Sequence, residues 1–464
     1  MTGGDAPVPD GGPSPFLRRA ARPWLHQVVP VAEHLPKYRR PALARDLAAG
    51  LTVGALAIPS AMAYAELVGV PAVNGLYVLL LPVVAYAAFS SSRQVSLGPE
   101  AGVAAMLGAG LVPFTAGDPT RALPLVGVVA LLVGACYAVA RLFRLGWIAD
   151  YFSVAVLIGY LHGIAVVLIV GQLGKLTGVT TGETETLPQL AHHLTHLGDI
   201  HTLSAVLGGA ALVIVLGLRR LSPRVPGSLI VLVGGIVISA AVDLASRGVA
   251  VVGPIPSGLP RFGLPDATGS DVVRMLPIAL GVFFVSFADS ILTARAYAGK
   301  HNQSVDANQE LLALGLANVA AGLTQGFTPS ASGSRTAVND QMGARTQLAG
   351  LFAVALAVAV LLFLTAPIEY LPSPVLAALI VAAAISLITP ARWKSLATAG
   401  RVPVVIAAFT TAAVILVGVL PALVAAVALS IIEVVARGAR PNDAVLGFVP
   451  RLDRYGDVRF HRSA

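Results

Sequence analysis

The sequence predicts an all-α polytopic membrane protein of about fourteen transmembrane segments, arranged as two inverted seven-segment repeats. Three observations carry that prediction. Of 464 residues, 56% are hydrophobic and only 12% charged, with a mean hydropathy of +0.81, whereas a water-soluble domain carries about 25% charged residues. Apolar runs recur from residue 46 to residue 438, many near the ~20 residues that cross a bilayer. Two of the runs are interrupted by polar stretches rich in glycine or proline, at Ser96–Ala101 and at Gly326–Asn339.

The apolar segments fall near 46–68, 72–89, 97–112, 121–141, 148–174, 202–218, 228–245, 271–298, 307–322, 334–347, 348–367, 372–389, 402–418 and 421–438. A polar connection at 246–270, carrying Pro254, Pro256, Pro260 and Pro265, divides them into a first repeat at 46–245 and a second at 271–438. An odd number of spans per half inserts the second half with opposite orientation. Outside the repeats lie a polar, basic segment at 1–45 and a tail at 439–464. The third and tenth segments are too interrupted to cross alone. They read as half-helices that meet near the bilayer midplane.

The formal charge of +8 and pI near 9.9 suggest nucleic acid only until the charges are placed. Arg18, Arg19, Arg22, Lys37, Arg39, Arg40 and Arg45 precede or enter the first span, and Arg219, Arg220 and Arg224 follow the sixth. The loop at about 176–200 instead carries Glu183, Glu185 and Asp199. The positive-inside rule then places both termini in the cytoplasm of a multi-pass protein of the cell membrane, with the acidic loop outside. No nucleic-acid partner is expected. The lone Cys136 rules out an intrachain disulfide and reads as a packed residue.

The interruptions hold the candidate site. A helix start offers unpaired N–H groups and the positive end of the dipole, which favour an anion. Gly98-Pro99 opens the third segment, because proline suits the first helical position, and the amides of Glu100 and Ala101 then face what lies ahead. Gly333, Ser334, Arg335 and Thr336 offer the same geometry in the tenth segment, with a permanent cation added. An arginine at membrane depth costs several kcal/mol unless it is paired or working. Its structural explanation would be an ion pair with Glu100 or Asp289. In the first span, Pro59 removes a backbone donor and Ser60 and Tyr64 share a face, so they too could contact a polar substrate.

Glu66, Glu100 and Asp289 lie in or near apolar spans. A carboxyl drawn out of water favours its neutral form, so each could take up a proton with transport. Asp289 with Thr293 one turn later is also acceptable sodium-ligand chemistry. Asp306 followed by Gln309 predicts a capping box at the ninth helix. His192, His193, His196 and His201 read as a solvated loop rather than a metal site, and His162 as a helix-packing residue. No catalytic motif is visible, and no cofactor is expected.

Several blocks together resemble a known family. Ile58-Pro59-Ser60-Ala61-Met62-Ala63-Tyr64-Ala65-Glu66-Leu67 with Gly69-Val70-Pro71, Asp306–Leu311 with Gly315 and Asn318, and Ser334–Asn339 followed by Gly343–Gly350 are similar to the signatures of the sulfate permease (SulP, solute-carrier 26) family. The resemblance covers about residues 40–440. It implies core and gate domains, an anion held between half-helices 3 and 10 by Ser60, Tyr64, the amides after Pro99, Ser334 and Arg335, an elevator movement, and a homodimer. Glu66 matches a proton-coupling position in some bacterial members, and Asp289 and Thr293 match a sodium position in a bicarbonate-carrying branch. That branch lacks an arginine at position 335. The expected function is proton-coupled symport of a small anion, with a sodium-dependent bicarbonate symporter, an exchanger or an uncoupled channel as alternatives. Family members continue into a cytoplasmic STAS domain, and residues 439–464 read as the tail leading to it.

Overall fold

The computed structural model describes residues 40–418, except 116–117, 148–153, 180, 182, 184, 223–226 and 254–257, together with 422, 425, 446–449 and 454–457. In chain order the elements are α1 (Arg40–Val68), α2 (Ala72–Val78), α3 (Leu81–Phe89), β1 (Leu97–Gly98), α4 (Ala101–Thr115), α5 (Pro119–Leu142), α6 (Val154–Thr177), α7 (Thr186–Thr195), α8 (Thr202–Leu221) and α9 (Gly227–Val242). The second half holds α10 (Gly269–Lys300), α11 (Ala307–Leu323), β2 (Ser330–Ala331), α12 (Gly333–Gln341), α13 (Leu348–Phe363), α14 (Thr365–Ile368), α15 (Ser373–Leu387), α16 (Pro390–Ala399) and α17 (Arg401–Val417). A hairpin of β3 (Leu446–Val449) and β4 (Arg454–Asp457) follows. The apolar segment predicted at 421–438 lies almost wholly outside the described residues.

Local chemistry explains the boundaries. Residue Gly69 has φ of +89°, and Val70 N–H donates to the Ala65 carbonyl while Gly69 N–H donates to Glu66. This is a Schellman stop, with Pro71 preventing the helix from resuming. Pro59 sits inside α1 without ending it. The start of α10 carries a capping box, Thr268 with Asp271, whose Thr-x-x-Asp pattern satisfies two orphan amides reciprocally. At α11 the chemistry differs from the predicted box. Asp306 accepts from Asn308 and Gln309 N–H, its own N–H goes to Ser91 Oγ, and the Gln309 side chain donates to the Phe89 carbonyl.

Among the described residues, seven helical stretches are long and apolar enough to cross a membrane. Large apolar side chains such as Val139, Leu142, Val213, Phe363 and Val402 face outward, where lipid rather than water suits them. The helices that follow the two interruptions are short. At 15 residues α4, and at nine residues α12, span roughly 22 and 14 Å at 1.5 Å per residue, well under a ~30 Å hydrocarbon core.

The helices pack as two groups. In the first, α1 packs on α13, α5 on α10 and α11, and α3 on α11. In the second, α6 packs on α15 and α17, and α8 on α15. Exchanging the two halves of the chain maps these pairs onto one another: α1/α13 onto α10/α5, α6/α17 onto α15/α8, and α1/α12 onto α10/α4. That exchange symmetry is the imprint of the inverted repeat. The approach within the first group is close. A Cβ on Gly75 would stand 1.9 Å from the Ala61 carbonyl oxygen, so only glycine lets α2 lie against α1.

Candidate functional site

The two half-helices are joined at their starts by a minimal sheet. Strand β1 pairs antiparallel with β2, Leu97 opposite Ala331 and Gly98 opposite Ser330. Ser332 N–H extends the pairing to the Ser96 carbonyl at 3.0 Å, and Ser96 N–H donates to Thr336 Oγ1 at 3.0 Å. Both α4 and α12 therefore begin from one fixed point between the two halves. Each strand is only two residues long: Pro99 and the start of α4 follow β1, while Pro329 precedes β2 and the start of α12 follows it.

A shell of buried polar contacts fixes that point. Tyr137 OH donates to Ser286 Oγ, which donates to Ser330 Oγ, and the Ala331 N–H donates to Ser290 Oγ. Asn339 Nδ2 donates to the Gln94 carbonyl, and Gln347 Nε2 to the carbonyls of Ser92 and Val95. Buried Glu310 accepts from Tyr86 OH, from the hydroxyls of Ser90 and Ser91, and from the N–H groups of Ser91 and Ser92. These bonds tie α11 and α12 to the segment that leads from α3 into β1, and α5 and α10 to β2.

Arg335 stands at the centre. It is 5% exposed, and its Nε and Nη2 have no hydrogen-bond partner. No ion pair to Glu100 or Asp289 is formed among the described residues, so the structural explanation for this arginine fails. The guanidinium lies over β1: a Cβ on Gly98 would be 3.1 Å from Nη2 and 3.0 Å from Leu79 Cδ2. Glycine at 98, with φ of +155°, leaves room for it. A buried guanidinium with free donors attracts an anion strongly, because low polarity around it magnifies both Coulomb attraction and charge-assisted hydrogen bonds.

A cavity of about 340 Å³ opens beside it. Ser60 and Tyr64 of α1, Ser334, Arg335 and Gln341 of α12, Arg219 of α8, Ser228 of α9 and Ser386 of α15 line it, together with Val215, Leu379 and Ala382. The cavity lies between the two helix groups, since α1 and α12 belong to the first and α8 and α15 to the second. Ser60 Oγ donates back to the Leu56 and Ala57 carbonyls, each at 3.0 Å, which leaves its lone pairs outward.

Other candidate residues lie around this cavity rather than on its wall. Glu100 turns back over its own helix and accepts from Val103 N–H at 3.1 Å, while Pro99 and Ala101 are buried behind it. The Thr336 hydroxyl is engaged by Ser96. Gly333 faces Thr293, whose Oγ1 is 4.0 Å from where a Cβ would be, and half-buried Asp289 lies one turn earlier on α10. Glu66 is elsewhere, at the end of α1, in a 2.8 Å ion pair with Lys175 of α6. That pair spans the two helix groups.

Four groups that sequence reasoning left out line the cavity. Arg219 was counted only as a topological charge, and Ser228, Gln341 and Ser386 carry no motif. His162 is fully used: Nδ1 is 2.7 Å from the Ile158 carbonyl and Nε2 accepts from Thr389 N–H. On α7, His192 stacks on the following His196 at 4.0 Å. Burial, with the neighbouring His192, holds His193 below the usual imidazole range. Among the described residues no three His, Cys, Asp or Glu side chains converge as metal ligands.

Interrupted helices meeting head to head at a buried, unpaired arginine, in a polytopic chain with internal inversion, define a membrane transporter rather than an enzyme or a receptor module. The chain belongs to the sulfate permease family, whose profile matches residues 43–434. A probable sulfate transporter of Mycobacterium tuberculosis is 42% identical over 435 residues, covering 94% of this chain and 77% of that protein. The fold is similar to murine solute carrier 26 family member A9, an anion transporter in the inward-facing state, with a TM-score of 0.83, 22% identity, and coverage of 96% of this chain and 77% of that one. It is also similar to the transmembrane domain of the cyanobacterial bicarbonate transporter BicA, with a TM-score of 0.72, 24% identity, and coverage of 84% and 98%.

Proposed function

We propose that the chain is a secondary active transporter of small anions of the sulfate, dicarboxylate or bicarbonate class, coupled to protons and working by alternating access. The observation that carries this reading is Arg335: a buried cation with free donors, held at the junction of two half-helix starts and facing a cavity between two helix groups. In this proposal Arg335, Ser334, Ser60 and Tyr64 hold the anion, and the helix starts at Pro99–Ala101 and Gly333–Thr336 supply the surrounding positive potential. The first helix group moves as the elevator core against the second, which acts as the gate. We further place residues 1–45 and 439–464 in the cytoplasm on either side of the repeats at 46–245 and 271–438, and a homodimer in the cell membrane. On the positive-inside orientation, the ends of α8, α12 and α15 face the cytoplasm, so the cavity opens inward.

The testing experiment is uptake of a panel of labelled anions into proteoliposomes under an inward proton gradient. Accumulation of one anion that collapses with a protonophore supports proton symport. Exchange or current without accumulation replaces it with an exchanger or channel, and uptake lost on replacing sodium by choline points to Asp289 and Thr293. Glu66 is the assigned proton carrier, because its ion pair with Lys175 bridges the two helix groups and protonation releases it. Glu66→Gln is expected to leave anion exchange intact while accumulation no longer follows the pH gradient. Unchanged pH-driven accumulation moves the role to Asp289 or Glu100.

A further inference from the structure

The cavity has two cationic poles on different helix groups. Arg335 belongs to α12, and Arg219 to the last turn of α8, yet both line the same space. Among the described residues no acidic side chain lines it and no carboxylate pairs with Arg219. Ser228, Gln341 and Ser386 line the cavity together with Arg219. Ser228 is held beside the end of α8, since Gly227 packs with its Cβ position 3.2 Å from Leu218, and Gln341 and Ser386 sit at the far ends of α12 and α15. From Ser334 to Gln341 the cavity follows nearly two turns of α12, roughly 10 Å. The cavity thus runs from the start of α12, where Arg335 stands, to the last turns of α8, α12 and α15, where Arg219, Gln341 and Ser386 stand.

We propose that Arg219, with Ser228, Gln341 and Ser386, forms an outer anion station that captures the substrate ahead of Arg335 and sets a preference for doubly charged oxyanions over monoanions. The inference rests on the anion-transport reading above and names its substrate class. The physical reason is that Coulomb energy scales with the product of the charges. If removal of one distant positive charge weakens a monoanion by some factor, it weakens a dianion by about the square of that factor. Because Arg219 rides on the second helix group, the station also comes apart from Arg335 whenever the groups shift. An anion that reaches Arg335 is then carried away from the outer charge.

The test measures binding of sulfate and of chloride to the purified full chain in lipid nanodiscs, for wild type, Arg219→Gln, Arg219→Lys, Arg220→Gln and Arg335→Ala. Arg219 and Arg220 are both exposed, and only Arg219 lines the cavity. The expected result for Arg219→Gln is about a threefold loss for chloride and about a tenfold loss for sulfate, with Arg219→Lys within about twofold of wild type for both and Arg220→Gln unchanged. Equal losses for the two anions, no loss, or the same losses in Arg220→Gln overturn the station. If wild type binds sulfate and Arg335→Ala abolishes it while Arg219→Gln does not weaken it, this inference alone fails. If wild type binds neither anion, the anion-transport reading fails and takes the inference with it.

Discussion

Replacing Arg335 by alanine is expected to reduce anion affinity by about thirtyfold to several thousandfold while leaving the protein folded. The site offers one buried cation with free donors, and removing a desolvated charge from a charge-assisted contact costs about 2–5 kcal/mol or more, with each 1.4 kcal/mol worth tenfold. The stability readout has the opposite sign from an ordinary core mutation. Arg335 gives up hydration at Nε and Nη2 without a hydrogen bond to the protein in return, so its removal relieves a penalty rather than breaking those bonds. Arg335→Ala should therefore melt at the same temperature as wild type or above it in the absence of substrate. Added substrate should raise the melting temperature of wild type only, since a ligand stabilises the state it binds. Arg335→Lys should restore attraction in part, because an ammonium keeps the charge but not the planar fork. Unchanged anion binding in Arg335→Ala would remove this residue from the site.

Glu310 carries the second large effect, and it acts on the frame. Its carboxylate accepts from Ser91 Oγ at 2.7 Å, Tyr86 OH and Ser91 N–H at 2.8 Å, and Ser90 Oγ and Ser92 N–H at 3.0 Å. Glu310→Ala leaves those donors buried without a partner, at about 1–3 kcal/mol for each that water cannot reach. A loss of several kcal/mol is expected, read as a markedly lower melting temperature and poor recovery of monodisperse protein. Glu310→Gln should rescue little, since its NH₂ group would face donors where only acceptors are useful. A glutamine variant as stable as wild type would show that the donor cluster is not what Glu310 serves. Because residues 90–92 lead directly into β1, any surviving Glu310→Gln protein should also bind anions more weakly.

Much of the fold was readable because a bilayer imposes one rule on every span. Hydropathy alone located α1, α5, α6, α8 and α10, and glycine and proline marked the starts of α4 and α12. Helices α7 and α16 were not anticipated, since short helices outside the spans have no run of apolar residues to announce them. The hairpin β3–β4 escaped for the same reason. Within the site, Arg335, Ser334, Ser60 and Tyr64 were legible as polar groups where polarity is expensive. Arg219 was not, because a basic residue at a helix end already has a sufficient explanation in topology and in the helix dipole. Glu310 lay inside a recognised motif but reads there as first-turn chemistry. Its donors come from Tyr86 and residues 90–92, and only the packing of α3 on α11 brings them together. Pairing of β1 with β2 is likewise a tertiary fact, invisible to any local pattern.

That pairing has a consequence for biogenesis. Ser96 and its partner Thr336 are 240 residues apart. A ribosome adding about 5–20 residues per second needs roughly 10–50 s to cover such a gap. Throughout that interval the backbone groups of Leu97 and Gly98 lack the strand that later satisfies them, at a depth where lipid offers no substitute. The nascent first half must therefore wait in a sheltered, hydrated setting until the second half arrives. The two halves mature together, and the junction that carries Arg335 is among the last parts of the molecule to exist.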